Sequence, residues 1–297
     1  MDPTRRDSTQ VAPENPFKLY HYDPTTGGAL IFVLLFLGTT ILHFWHLIRA
    51  RCWFLIPLAV GGVFEVIGYA ARCKSGVESP NWILGPYIIQ AILLLVAPAL
   101  FAATIYMELS RVVTLIDGEG HTLIRKQWMT KIFVTGDMLS FLLQGGGGGY
   151  QAAGSLEALN NGAKVIIAGL FVQLICFGVF IVIAIAFDLK IRRAPTGRSE
   201  CGIPWQKHMK ALYVGSLLIM VRSIFRAVEY LQGFDGYLLS HEVYLYVFDA
   251  ILMFLVMVLF NYVHPAEIFD LHAGACATQE WNMSILSRHH RRLESDA

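Results

Sequence analysis

The sequence predicts an all-α integral membrane protein, a seven-helix bundle with its N-terminus outside and its C-terminus in the cytoplasm. Of its 297 residues, 55% are hydrophobic and only 15% are charged, whereas a soluble domain carries roughly a quarter charged residues. Apolar runs of about 20 residues recur along the chain, each long enough to cross the roughly 30 Å hydrocarbon core as a helix. The loops between them, of which 108–129 and 188–210 are the longest, are too short to bury a core of their own.

Residues 1–26 form a polar, proline-bearing tail without the apolar stretch of a cleavable signal peptide, so the first membrane helix has to target the chain. That helix is expected over 27–48, which is free of charge until Arg49. The second, 53–71, carries only Glu65, and the third, 85–107, carries none. Pro86 and Pro98 are expected to kink the third helix, because proline lacks the amide hydrogen and its ring clashes with the preceding turn; Pro57 sits early in the second. The fourth helix, 130–154, contains Asp137 and five consecutive glycines, and the fifth, 164–187, has Lys164 at its edge. The sixth, 211–232, holds Arg222, Arg226 and Glu229, and the seventh, 243–263, holds Asp249. The membrane domain thus runs from 27 to 264, followed by a polar tail, 265–297, expected to be cytoplasmic and disordered.

Loop charges set the orientation. Arg49 and Arg51 follow the first helix, Arg111, Arg125 and Lys126 the third, and six further Lys and Arg residues lie between 190 and 210 after the fifth. The loops after the fourth and sixth helices hold none unless Lys164 is counted, so the positive-inside rule puts the N-terminus outside. The sequon at Asn282 then faces the cytoplasm, where it is not glycosylated. A net charge of +1 spread over loops, with no basic patch, gives no argument for nucleic acid. Five scattered cysteines define no disulfide framework, although juxtamembrane Cys52 is a weak acylation candidate.

Several helices carry a polar seam. Glu65, Tyr69 and Arg72 are spaced i, i+4, i+7, as are Glu242, Tyr246 and Asp249, while Arg222, Arg226 and Glu229 fall within roughly 60° on a helix. In the fourth helix Asp137, Ser140 and Gln144 share a side. A charge left unpaired in lipid costs at least about 2.5 kcal/mol, so the second, fourth, sixth and seventh helices are expected to enclose these groups together. Two readings stand: ion pairs that lock the bundle, or a polar cavity for a substrate head group or a proton. The excess of acids over Arg222 and Arg226 favours the cavity, open toward the outside and deepening to Arg222, with Asp137 on the inner side. Its expected substrate-binding residues are Glu65, Asp137, Gln144, Arg222, Arg226, Glu229, Glu242 and Asp249.

The run Gly145–Gly149 costs about 1 kcal/mol per residue against Ala in a helix. It lacks the Lys-Ser/Thr ending of a phosphate loop. Close helix contact or an unwound, cavity-lining segment would each account for it. His43 and His46, beside Trp45, suit a membrane interface better than metal or haem ligation, and His289 and His290 belong to a basic tail; no metal or cofactor is expected. Converging zinc ligands and a Gly-x-Ser-x-Gly nucleophile are both missing from the sequence, so no enzymatic activity is expected.

The motifs FEVIGYAAR, APALFAATIY, GDMLSFLLQGGGGG, GLFVQL, RSIFRAVEYLQG, HEVYLYVFDA and NYVHP, spread over 28–267, resemble the fungal RTA-like proteins, also called the lipid-translocating exporter family, named for resistance to aminocholesterol. The resemblance implies a seven-helix fungal membrane protein of the plasma membrane. Its implied function is export or transbilayer movement of sphingoid bases, sterol-like amphiphiles or phospholipids, resistance to toxic amphiphiles and, in one branch, porphyrin traffic. The alternative it leaves open is a receptor-like sensor of lipid or membrane stress. Expected partners are membrane lipids and an amphiphilic small molecule. Without a nucleotide-binding loop, any transport must draw on a gradient of protons or of the lipid itself.

Overall fold

The computed structural model describes residues 22, 24–79, 83–151, 155–200, 204–233 and 236–264. Among the described residues there is no strand, and the long helices are α1 (Thr26–Ala50), α2 (Ile56–Val77), α3 (Leu84–Leu115), α4 (Lys126–Gln151), α5 (Leu156–Arg193), α6 (Trp205–Leu231) and α7 (Glu242–Tyr262). Six of them are long and apolar enough to cross a membrane. The other is α4, whose 26 residues match them in length but include Asp137, Gln144 and the glycine run. The two tails and Asn282 lie outside the described residues.

Successive helices pack side by side, α7 returns to α1 to close the bundle, and α3 also reaches across to α6. Each helix puts one face into this core and turns the rest outward. On α1, Phe36 and His43 are buried while Leu34, Ile41, Trp45 and Ile48 are exposed; on α5, Phe177, Phe180 and Ala184 are buried while Ile175, Val179 and Val182 are exposed. An exposed aliphatic belt of this extent belongs in hydrocarbon. Exposed Trp45, Trp53, Trp128 and Tyr262 ring the end at which α1 and α7 finish, and Tyr150 and Tyr237 mark the opposite end, as amphipathic rings do at membrane interfaces.

Four helices outrun their predicted spans by six residues or more. α2 continues to Val77, α3 to Leu115, α5 runs from Leu156 to Arg193, and α6 begins at Trp205. Counting apolar runs finds only the lipid-embedded part of a helix, and these extensions are amphipathic: Leu109, Val112, Leu115, Ile191 and Met209 are buried as part of the main core. Thr196 Oγ1 caps this junction by donating to Ile116 O. Cys52 is also buried here, its thiol directed at Ala50 O at 3.2 Å, which withholds it from acylation.

Prolines and glycines resolve in the same way. Pro86 falls in the first turn of α3, where its missing amide needs no partner, so it does not act as the expected kink site; Pro98 is interior. The glycine run is helical throughout, which removes the unwound alternative. Only Gly147 is pressed by a neighbour: a Cβ there would stand 2.7 Å from Gly162 O on α5, whereas Gly145, Gly146, Gly148 and Gly149 face open space. We therefore expect Gly148→Ala to raise stability by about 0.5–1 kcal/mol and Gly147→Leu to lower it by about 1–3 kcal/mol. Thermal unfolding of the purified variants in detergent measures both, and equal effects at the two positions would refute close packing at Gly147.

Candidate functional site

At the end where α2 and α6 finish and α3 and α7 begin, the bundle holds a cavity of ≈ 120 Å³. Arg72, Arg222, Arg226, Glu229 and Asp249 supply its charge, and leucines from α3, α7 and the α6–α7 turn supply an apolar wall.

Local sequence explains how each charge arrives. α7 opens with one α turn and then widens into a π turn over Tyr246–Ile251, the segment that carries Asp249. A π turn advances less angle per residue than an α turn and commonly marks a functional site. Glu242 and Tyr246 therefore face Arg72, while Asp249 turns toward α6 and pairs with Arg222 Nε. Arg222 also donates from Nη2 to Leu94 O at 2.7 Å. Leu94 is the i−4 residue of Pro98, and a proline donates no hydrogen to that carbonyl, so the interior proline of α3 leaves an acceptor ready for the guanidinium. Arg226 Nη1 donates to Glu229 Oε2 at 2.7 Å one turn along the same helix.

Nearer the mouth, Arg72 is 1% exposed and donates from Nη2 to Glu242 Oε1 at 2.7 Å and to the Tyr22 hydroxyl at 2.8 Å. Glu242 in turn accepts from the Thr25 amide at 3.0 Å through both oxygens, which ties the start of α1 to α7. Glu65 is buried behind the wall, with Asp249 and Arg222 as its charged neighbours. Pairing of this kind removes most of the penalty for burying ions in lipid.

Six of the eight predicted residues are thus brought together: Glu65, Arg222, Arg226, Glu229, Glu242 and Asp249. Asp137 and Gln144 are not. Their face of α4 turns to α3 and α5, where Asp137 Oδ2 accepts from the Tyr106 hydroxyl at 2.9 Å and Gln144 Nε2 donates to Gln173 Oε1 at 3.2 Å. The wall opposite α6 comes from α3 in place of α4, through Tyr87 and Gln90. Sequence reasoning passed over these two, although Gln90 is a lone amide in an apolar run and shares a helix face with Tyr87 and Leu94 by i, i+3, i+7 spacing. It also missed Glu108 and His208, which meet at 3.4 Å with both side chains fully buried, because both fell in stretches taken as loop. His43 Nε2 lies 3.0 Å from Met257 O, and the rings of His46 and His264 lie 4.5 Å apart, tilted by 35°. Among the described residues no group of three or more His, Cys, Asp or Glu is arranged to hold a metal ion.

A family profile described as "RTA1 like protein" matches residues 58–272. The chain is 36% identical to Protein RTA1 of Saccharomyces cerevisiae over 290 residues, 89% of this chain and 90% of that protein. It is 36% identical over 284 residues to Protoporphyrin uptake protein 1 of the same yeast, covering 84% of this chain and 92% of that one. A more distant relative, the Sphingoid long-chain base transporter RSB1 of Saccharomyces cerevisiae, is 25% identical over 262 residues, 77% of this chain and 68% of the relative. No solved structure matches the chain. With its apolar helices, its profile match and relatives alike over most of their length, the chain belongs to the RTA1-like family of multi-pass membrane proteins.

Proposed function

We propose that this protein exports or translocates lipid-like amphiphiles across the membrane and so protects against toxic ones. The observation that carries the reading is the cavity, which places the ion pairs Arg222–Asp249 and Arg226–Glu229 beside a leucine wall at one end of the bundle. An amphiphile asks for that combination: charged partners to replace water around its head group, and apolar surface to receive its chain. The relatives' names support the same class, since a sphingoid long-chain base and a protoporphyrin each join ionisable groups to a large apolar body. The protein moves its substrate without transforming it.

In this reading all seven long helices cross the bilayer. α4 does so because its polar face is covered by α3 and α5. The N-terminus and the cavity face outside, residues 265–297 lie in the cytoplasm, and the membrane is the plasma membrane. Sequons introduced after α2, α4 and α6 should acquire glycans in cells while native Asn282 does not; a glycan on Asn282 would invert the topology.

Liposomes containing the purified protein should move a labelled long-chain base or phospholipid between leaflets faster than protein-free liposomes. Binding without movement would replace the transporter by a sensor, and a change in the lipid's mass would replace it by an enzyme.

A further inference from the structure

The polar face of α4 that the cavity does not use forms a second, separate file. Asp137 is 4% exposed, deep in α4, and receives a single hydrogen bond, from Tyr106 of α3. Its other oxygen, Oδ1, is buried without a hydrogen-bond partner. The groups around it are Tyr106 from α3 and Cys176 from α5, closed in by the rings of Phe133, Phe177 and Phe180 around Tyr106. No Arg or Lys pairs with it among the described residues. From Asp137 the face continues along α4 through Ser140, whose hydroxyl donates to Gly169 O at 2.7 Å, to Gln144, which donates to Ser140 Oγ at 2.6 Å and to Gln173 Oε1. Gln144 Oε1 is likewise buried without a partner.

A carboxylate held at membrane depth with no cation beside it is expensive as an anion, and such residues in membrane helices mark proton relays and ion pathways. An oxygen with no partner is where a proton or water binds. Hydroxyl and amide groups in file give that carboxyl a polar approach along α4.

We infer that Asp137 is a proton-binding site, reached along Ser140, Gln144 and Gln173, that couples a proton gradient to the movement of substrate in the α2–α3–α6–α7 cavity. This rests on the transport reading above. In the binding step a hydronium ion gives its proton to Oδ1, forming one O–H bond and leaving water; release to water on the other side reverses it. Tyr106 holds Oδ2 and so leaves Oδ1 as the oxygen that takes the proton.

Infrared difference spectra of the reconstituted protein after a pH jump test the site directly. Acidification should bring up the carbonyl band of a protonated, shielded carboxyl group that is missing in Asp137→Asn, a change that keeps shape and the acceptor for Tyr106. Tyr106→Phe, which retains the ring packing, should shift the pH at which the band appears, and it serves as the test if the Asn variant does not fold. In liposomes, with protein-free vesicles subtracted, a transmembrane pH gradient should speed movement of a labelled long-chain base by the wild type. Asp137→Asn should move it at one rate with or without the gradient. If the wild type moves the base but ignores the gradient, or the variant responds like the wild type, the proton site is overturned and transport stands. If the wild type moves no base, the transport reading falls, and the infrared band decides the site alone: an unchanged band in Asp137→Asn overturns it.

Discussion

Arg222→Ala should abolish most of the folded protein. The guanidinium is 3% exposed, holds Asp249 through Nε and satisfies Leu94 O through Nη2, and it is also a charged neighbour of Glu65. Removing it strands two buried carboxylates and one carbonyl. Breaking a buried pair from one side costs about 3–5 kcal/mol, a large share of the 5–15 kcal/mol that holds a typical domain together. The loss should appear as low abundance in cells and a collapsed monodisperse peak in detergent. Pairing the change with an apolar partner, Arg222→Met with Asp249→Leu, should recover part of the abundance, because replacing both ions removes their desolvation penalty along with the attraction, while Glu65 and Leu94 O still lack Arg222. The double variant should still be inactive. Full abundance of Arg222→Ala alone would show that the carboxylates behind it are not held by this residue.

Glu229→Gln should do the reverse, leaving the protein abundant and removing its protection against a toxic long-chain base. Glu229 lies in the cavity wall and accepts from Arg226 at 2.7 Å. Glutamine retains one oxygen for that bond and nearly the same volume, so the packing survives. What disappears is the negative charge available to an amine in the cavity, and a charge-assisted hydrogen bond is roughly twice as strong as a neutral one. Cells expressing Glu229→Gln should stop growing at the dose that stops cells lacking the protein, with equal membrane levels by immunoblot. Arg226→Ala should lose abundance as well, since it leaves Glu229 buried without its partner. If Glu229→Gln cells remain fully protected, the ion pairs are architecture and the cavity does not bind the head group through this residue.

The amino-acid sequence by itself determined the class of the molecule and most of its wall. Hydrocarbon admits only helices and closed barrels, and continuous runs of about 20 apolar residues without the alternation of a barrel strand select the helix; the period of 3.6 residues then places Arg222, Arg226 and Glu229 on one stripe whatever the helix packs against. Charges spaced this way have to find one another, which is why Arg226–Glu229 and the meeting of α2, α6 and α7 were legible in advance. The partner of each stripe was not, because a helix can be rotated about its axis with little change in local energy; only the other helices decide which face is buried. That rotation took Asp137 and Gln144 away from the cavity and onto α3 and α5, and brought in Tyr87 and Gln90 of α3 instead. The π turn in α7 separated Asp249 from Glu242, a local departure from the ideal period that no spacing argument contains. The carbonyl of Leu94, which Pro98 four residues on in α3 leaves without an amide partner, became a ligand for Arg222 only because α6 packs against α3 at the level of Leu94. Periodicity is a property of one helix, whereas a site assembled from four is a property of their contacts, and those are set by packing across the whole bundle.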